Sequence, residues 1–286
     1  PELEKRIQII MDTGLIELND NFKIYWNNFP IARLITGNDY LNPNIELIVD
    51  DTIEINQKQK LSKYINKWIQ NKIKTILKSL IDLKNLKENN SSIKALAYQL
   101  YENNGVLKRE QVSEYLKTLE QNERKILRDL GVKFGRYHVF LYQLIKPDAV
   151  SLRTLLWKNF HQKYYNLKPP TFGLNFLDDK ESKNKNFMLL CGFEKFDTFF
   201  VRIDILERLF MQIINSNSEK GKEIKMIPEM LNLLGCSKEN FKKLLKKMSY
   251  KIIEKDNEVF FKYMPKKNLR KSENKVSKES PFGILK

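Results

Sequence analysis

Between residues 58 and 87 the chain repeats apolar side chains at three- and four-residue intervals: Leu61, Tyr64, Ile65, Trp68, Ile69, Ile73, Ile76, Leu77, Leu80 and Leu83. That spacing lays one stripe along an α-helix, and such a stripe is stable only against a core. About 28 residues at 1.5 Å each predict a single rod of roughly 40 Å. The opposite face is almost all lysine. This stretch carries net +8 and residues 220–286 net +10, against +16 for the whole chain, while residues 1–57 are net −6. Positive charge is therefore clustered, as a polyanion partner requires, because each neutralised phosphate releases counterions. The lysine face of 58–87 reads either as solvated surface or as a contact to a phosphate backbone.

A hydrophobic share of 42% in 286 residues is enough for ordered cores in two domains or three small ones. Cys191 and Cys236 make no disulfide framework, and with His138 and His161 they lack zinc-finger spacing, so no metal site is expected. A reducing, cytoplasmic setting fits best. No apolar run approaches the roughly 20 residues of a membrane span. No G-x-x-x-x-G-K-[ST] loop, G-x-G-x-x-G turn, H-E-x-x-H helix or G-x-S-x-G elbow is present. The adjacent pairs Asp50-Asp51 and Asp178-Asp179 point to different faces and read as solvated loops. No catalytic residue and no cofactor is expected within the chain.

The pattern predicts an α+β chain, mainly α with small β-hairpins. A first helix carries Leu3, Ile7, Ile10 and Met11 on one face and stops at Gly14. Strands follow at 15–18 and 22–26, then an irregular stretch at 34–43 and a strand at 45–49. Helix, glycine and hairpin make residues 1–50 the end of a winged-helix-like module plus a connecting strand. With Pro1 first, the chain reads as part of a longer protein. Residues 51–214 form a helical accessory domain, a bundle with β insertions. Ser92 caps a helix through Tyr101, and helices cover 109–119 and 122–130. An extended segment at 131–141 follows, then a helix to about Phe160. Strands are expected at 187–193 and 199–203, with Asp204 capping a helix to Ile214. After a polar linker at 216–221, residues 222–264 show two short helices about Gly235, the second capped by Ser237, then a hairpin. This is winged-helix grammar. The second helix turns Phe241, Leu244, Leu245 and Met248 inward and Lys242, Lys243, Lys246 and Lys247 outward. Residues 265–286 read as a disordered basic tail whose apolar end, 280–285, has the shape of a docking peptide for a protein partner.

The run Leu130-Gly-Val-Lys-Phe-Gly-Arg-Tyr-His-Val-Phe-Leu141, continued by Leu144-Ile-Lys-Pro147 and Leu152-Arg-Thr-Leu-Leu-Trp157, is distinctive. It resembles the region beyond the motor in alphaproteobacterial helicases of the mitochondrial degradosome helicase family, a superfamily 2 group. Ala32-Arg-Leu-Ile-Thr-Gly-Asn-Asp-Tyr-Leu-Asn-Pro43, Val201-Arg-Ile-Asp-Ile-Leu-Glu-Arg-Leu209 and Ser280-Pro-Phe-Gly-Ile-Leu285 are similar in the same order. At Tyr142-Gln143 the chain departs from relatives, which carry a proline there. The resemblance implies an ATP-dependent RNA or DNA helicase whose motor domains, with their ATP and Mg, lie upstream of Pro1. This part would close over the single strand leaving the motor. The matched positions that would contact that strand are Lys133, Arg136, His138 and Lys146; the same run reads alternatively as conformational glue. From a different class, the chain reads as a stand-alone nucleic-acid-binding or protein-adaptor module. With no phosphate-cradling loop, the purified chain is expected to release no phosphate from ATP, with or without nucleic acid. Nucleic-acid-stimulated hydrolysis that survives a mock-purification control would overturn this.

Overall fold

In the computed structural model, which describes residues 2–87, 91–216 and 222–264, the chain divides into two units, residues 1–212 and 213–286. Small antiparallel sheets and helices alternate throughout, an α+β architecture. The division falls close to the expected linker; residues 217–221 of that linker and the tail at 265–286 lie outside the described residues. No described helix is long and apolar enough to cross a membrane.

The first unit opens with α1 (Glu2–Thr13) and a four-stranded meander of β1 (Ile16–Leu18), β2 (Lys23–Trp26), β3 (Phe29–Ile35) and β4 (Asn44–Leu47). β3, which the pattern does not predict, takes only the first two residues of the stretch expected to be irregular, 34–43, and the rest of that stretch has no helix or strand. Asn27 and Asn28 both take positive φ, +45° and +68°, and this makes the tight turn that twisted strands prefer. Pro30 stands at the start of β3, next to a register shift at Ile24/Tyr25, where a missing N–H is tolerated.

The expected long rod is broken into α2 (Ile55–Ile76) and α3 (Lys78–Lys84) at Leu77. Its buried residues explain why. Leu61, Ile65, Ile69, Ile73 and Leu77 follow one another in steps of four, and each step moves the stripe about 40° round a helix of 3.6 residues per turn. A straight rod would aim its two ends at different sides. The bend lets Leu77, Leu80 and Leu83 rejoin the same core as Leu61. α4 (Ser91–Glu102) starts one residue early, so Ser92 does not cap it; instead the Ser92 hydroxyl accepts from Thr118 at 2.9 Å.

A three-stranded sheet follows, built from β5 (Val106–Lys108), β6 (Val132–Phe134) and β7 (His138–Leu141) with β7 central; α5 (Ser113–Thr118) and α6 (Gln121–Asp129) lie between β5 and β6. α7 (Pro147–Phe160) begins on a proline, whose fixed φ suits a first turn. A third sheet contains β8 (Phe176–Asp178), β9 (Phe193–Phe196) and β10 (Phe199–Arg202), with β10 central. The strand expected at 187–193 is instead mostly the helix α8 (Lys185–Leu190). The Asn184 side chain caps it by accepting the Phe187 N–H at 2.9 Å, and a short apolar run fits either state by pattern alone. α9 (Ile203–Ser216) starts beside the Arg202–Asp204 ion pair and continues past the boundary between the units.

The second unit contains β11 (Ile224–Lys225), α10 (Pro228–Leu234), α11 (Lys238–Lys247), β12 (Tyr250–Lys255) and β13 (Glu258–Tyr263), with the sheet ordered β11-β13-β12. Gly235, at φ +70°, turns α10 into α11, and the Ser237 hydroxyl accepts the Asn240 N–H. Leu234, Phe241, Leu244, Leu245 and Phe261 are wholly buried and make its core.

Backbone approach is closest in the loop between β3 and β4. A Cβ at Gly37 would lie 1.8 Å from the Asn42 carbonyl oxygen. Gly37→Ala is expected to cost roughly 1–3 kcal/mol, the range of an overpacked site. Urea unfolding followed by tryptophan fluorescence checks it, because Trp26, Trp68 and Trp157, all the tryptophans there are, lie in the first unit. An unchanged midpoint would contradict the clash.

Candidate nucleic-acid interface

The turn Gly135-Arg136-Tyr137 joins β6 to β7, and the carboxylate of Glu207 from α9 lands on it. Glu207 accepts the backbone N–H of Arg136, of Tyr137 at 2.9 Å and of His138 at 2.7 Å. Three successive amides converging on one carboxylate make an anion nest. Gly135 permits this, since a Cβ there would come within 2.5 Å of the Glu207 carboxyl carbon. Arg109 ties down the other side of the turn. Its backbone N–H donates to the Tyr137 carbonyl at 2.7 Å and its guanidinium to the Gly135 carbonyl at 2.8 Å.

His138 lies beneath the turn, 3% exposed. Its Nδ1 is 3.0 Å from Glu207 and its Nε2 3.3 Å from Glu194 on β9. Glu194 also takes the Lys108 ammonium at 2.9 Å. A carboxylate lies at each ring nitrogen, an arrangement that favours the doubly donating imidazolium. Burial opposes that charge, but the hydrogen bonds and charges of Glu194 and Glu207 outweigh it and raise the pKa of the ring above its ordinary value. For Glu194, burial pushes upward, and His138 and Lys108 more than offset it and hold the carboxyl below its usual range. His138 therefore faces the interior and ties elements together; the expectation that it contacts a nucleic-acid strand is corrected.

Arg153 of α7 forms a second buried node, 1% exposed. Its guanidinium donates to the carbonyls of Asn104 at 2.7 Å, Leu144 at 3.1 Å and Leu190. Burial lowers its pKa, while Tyr40 and Cys191 act in the other direction. Burial also pushes the Cys191 thiol up to about 12, against the pull of Arg153 and Lys158. A thiol so protonated is not a nucleophile at neutral pH.

Lys133 on the edge strand β6, Arg136 in the turn and Lys146 at the start of α7 are all exposed. The Arg136 guanidinium lies 5.9 Å from the Tyr137 ring centroid. In the second unit the four lysines of α11 are not equivalent. Lys242 is bonded to Glu254 of β12 at 2.7 Å and to Glu239 at 3.2 Å. Those bonds raise its pKa, and the bond to Lys242 lowers that of Glu254. Lys242 thus braces helix to hairpin, which corrects its assignment to an outward face. A cleft of about 400 Å³ beside it is lined by Lys238, Lys242 and Lys255 but also by Glu254, Asp256 and Glu258, so its charge is balanced. Lys243, Lys246 and Lys247 are exposed and join none of the ion pairs among the described residues.

No family model, curated protein or solved structure matches the chain. Sequence reasoning missed Lys108, Arg109, Glu194 and Arg153 as organising groups. Glu207 stood in a quoted stretch, but nothing in one sequence pairs it with a turn 70 residues away.

The two shifts fix a pH dependence. A raised histidine pKa contributes stability that is fully present below its unfolded value, about 6.5, and is lost as pH rises through the folded value. The lowered Glu194 contributes stability above its unfolded value, about 4.3, which is lost as pH falls through the folded value. Tryptophan-monitored urea midpoints should therefore be highest between these limits and decline on the alkaline side. His138→Gln should remove the alkaline decline and, by leaving two buried carboxylates short of a partner, cost roughly 3–5 kcal/mol. A parallel alkaline decline in the variant would refute the assignment.

Proposed function

We propose that the chain is a nucleic-acid-binding accessory part of an ATP-dependent helicase of the superfamily 2 group it resembles, guiding a strand beyond motor domains that supply ATP hydrolysis. The observation that carries the nucleic-acid reading is the trio Lys243, Lys246 and Lys247, exposed on the second helix of its unit and joining none of the ion pairs among the described residues. The connectivity around them supports it: strand, two helices across a glycine turn, then a hairpin, with the sheet ordered β11-β13-β12 and its core against the helices. We read this unit as a winged helix, whose second helix is the element that enters a groove or lies along a backbone. In the first unit we read α2 to α7 as a helical accessory domain, with Lys133 and Arg136 on a hairpin that the Glu207 nest holds rigid and Lys146 at the start of α7. The motor and RNA or DNA as the substrate come with the resemblance, and a cytoplasmic setting with the cysteine usage. The charge-balanced cleft between α11 and the hairpin favours a second reading, a protein-adaptor module, because an anionic strand gains nothing there.

Replacing Lys243, Lys246 and Lys247 together by Ala separates the two readings. Alanine favours the helix, so the melting temperature should hold. On a nucleic-acid strand the log–log salt slope of binding should fall by roughly two to three, one counterion per lost contact. Unchanged affinity and slope in a fluorescence anisotropy titration would favour the adaptor.

A further inference from the structure

α2 contains six lysines and no Asp or Glu. Lys58 turns aside to Asp51, and Lys72 lies over the Trp68 ring at 5.4 Å. The other four, Lys60, Lys63, Lys67 and Lys74, are exposed and join none of the ion pairs among the described residues. At 100° per residue they fall within about 60° of one another, with exposed Asn71 in the gap between Lys67 and Lys74. The result is one straight row about 21 Å long at 1.5 Å per residue. Like charges three and four residues apart repel along a helix, so the row weakens the helix that carries it unless an anion lies across it. The opposite side is anchored: Leu61, Ile65, Ile69 and Ile73 are buried in the core, so the row cannot bend to follow a flexible ligand.

We infer that this row is a rail for the phosphate backbone of double-stranded nucleic acid, held without reading base sequence. The inference rests on the nucleic-acid reading above and adds the duplex to it. Single-strand surfaces combine charge with aromatic rings on which bases stack. The row offers no such ring: Tyr64 and Trp68 are half-buried beside it, and Trp68 is covered by Lys72. A duplex needs no stacking partner and presents one negative charge per about 1.7 Å of axis, so a rigid row of cations meets phosphates wherever it lies along the strand. Contacts to phosphate alone position the duplex and carry no sequence information.

The test uses the whole chain and the variant Lys60/Lys63/Lys67/Lys74→Gln, glutamine being nearly as good a helix former as lysine. Binding to a short blunt duplex and to a single strand of the same length is measured across a salt series. The duplex slope should fall by about three to four, and the single-strand slope by less than about one. Duplexes of unrelated sequence should lose affinity alike, and the tryptophan-monitored melt should be unchanged. An unchanged duplex slope overturns the inference, as does an equal loss on both ligands. So does loss of binding to phosphatidylserine vesicles with duplex binding intact, which would assign the row to a lipid surface. If the α11 variant weakens nucleic-acid binding and the α2 variant does not, only the rail falls. If the unmodified chain binds no nucleic acid at all, the broader reading falls with it.

Discussion

Glu207 carries a negative charge into the interior of the first unit, and much of the architecture there is what that charge requires. An ionised carboxylate taken out of water costs several kcal/mol unless hydrogen-bond donors or a counter-charge surround it. Here the donors are three consecutive amides of one turn and the ring of His138. The ring then brings in Glu194, and Glu194 brings in Lys108. One carboxylate thus couples α9 to β5, β7 and β9, elements spread over about a hundred residues of chain. No member can be removed alone without stranding the charge of another, so the turn of the hairpin at 132–141 is tied to elements that come later in the chain.

Arg153 applies the same logic with opposite sign and different partners. Backbone carbonyls, which helix ends and loops leave unpaired, accept from its two Nη groups: Asn104 just past α4, Leu144 before α7 and Leu190 at the end of α8. Both nodes lie in the stretches that make the sequence distinctive, and both do structural work. Exposed on that segment are Lys133 and Arg136, on a hairpin whose turn is fixed from two sides, and Lys146 at the start of α7. Positioning charged side chains on rigid elements limits the entropy lost when a ligand binds.

Local physics was legible in the sequence wherever it is decided by neighbours. Ser237, the Gly235 turn, the Pro147 start of α7 and the second hairpin all follow from capping and turn chemistry within a few residues. The strand β3 is not among the expected strands, although the two asparagines Asn27-Asn28 between apolar runs are a turn signal of their own. The bend at Leu77 was also available in principle: the steps of four that slide the stripe round the helix are visible in the sequence, but they force a bend only once there is a single core to face. α8 differs from the expected strand because the five-residue apolar run Phe187–Cys191 carries no period long enough to decide. The Glu207 nest was beyond reach for another reason. Its partners are backbone amides, which every residue has, so no side-chain pattern records them.

Net charge of +16 overstates what is free to meet a ligand, and the structure shows where the excess is already engaged. In the second unit Lys225 pairs with Glu258, Lys255 with Glu223 and Lys242 with two glutamates, so part of that basic segment neutralises itself. In α2 no acid lies within the helix to do the same, and the burial of its apolar face leaves the lysine row nowhere to turn but outward. Two segments of similar net charge therefore differ in kind. One engages part of its lysines in ion pairs, with Lys242 holding a helix against a hairpin. The other holds itself by apolar packing and leaves its charge unspent, and counterion release rewards only unspent charge.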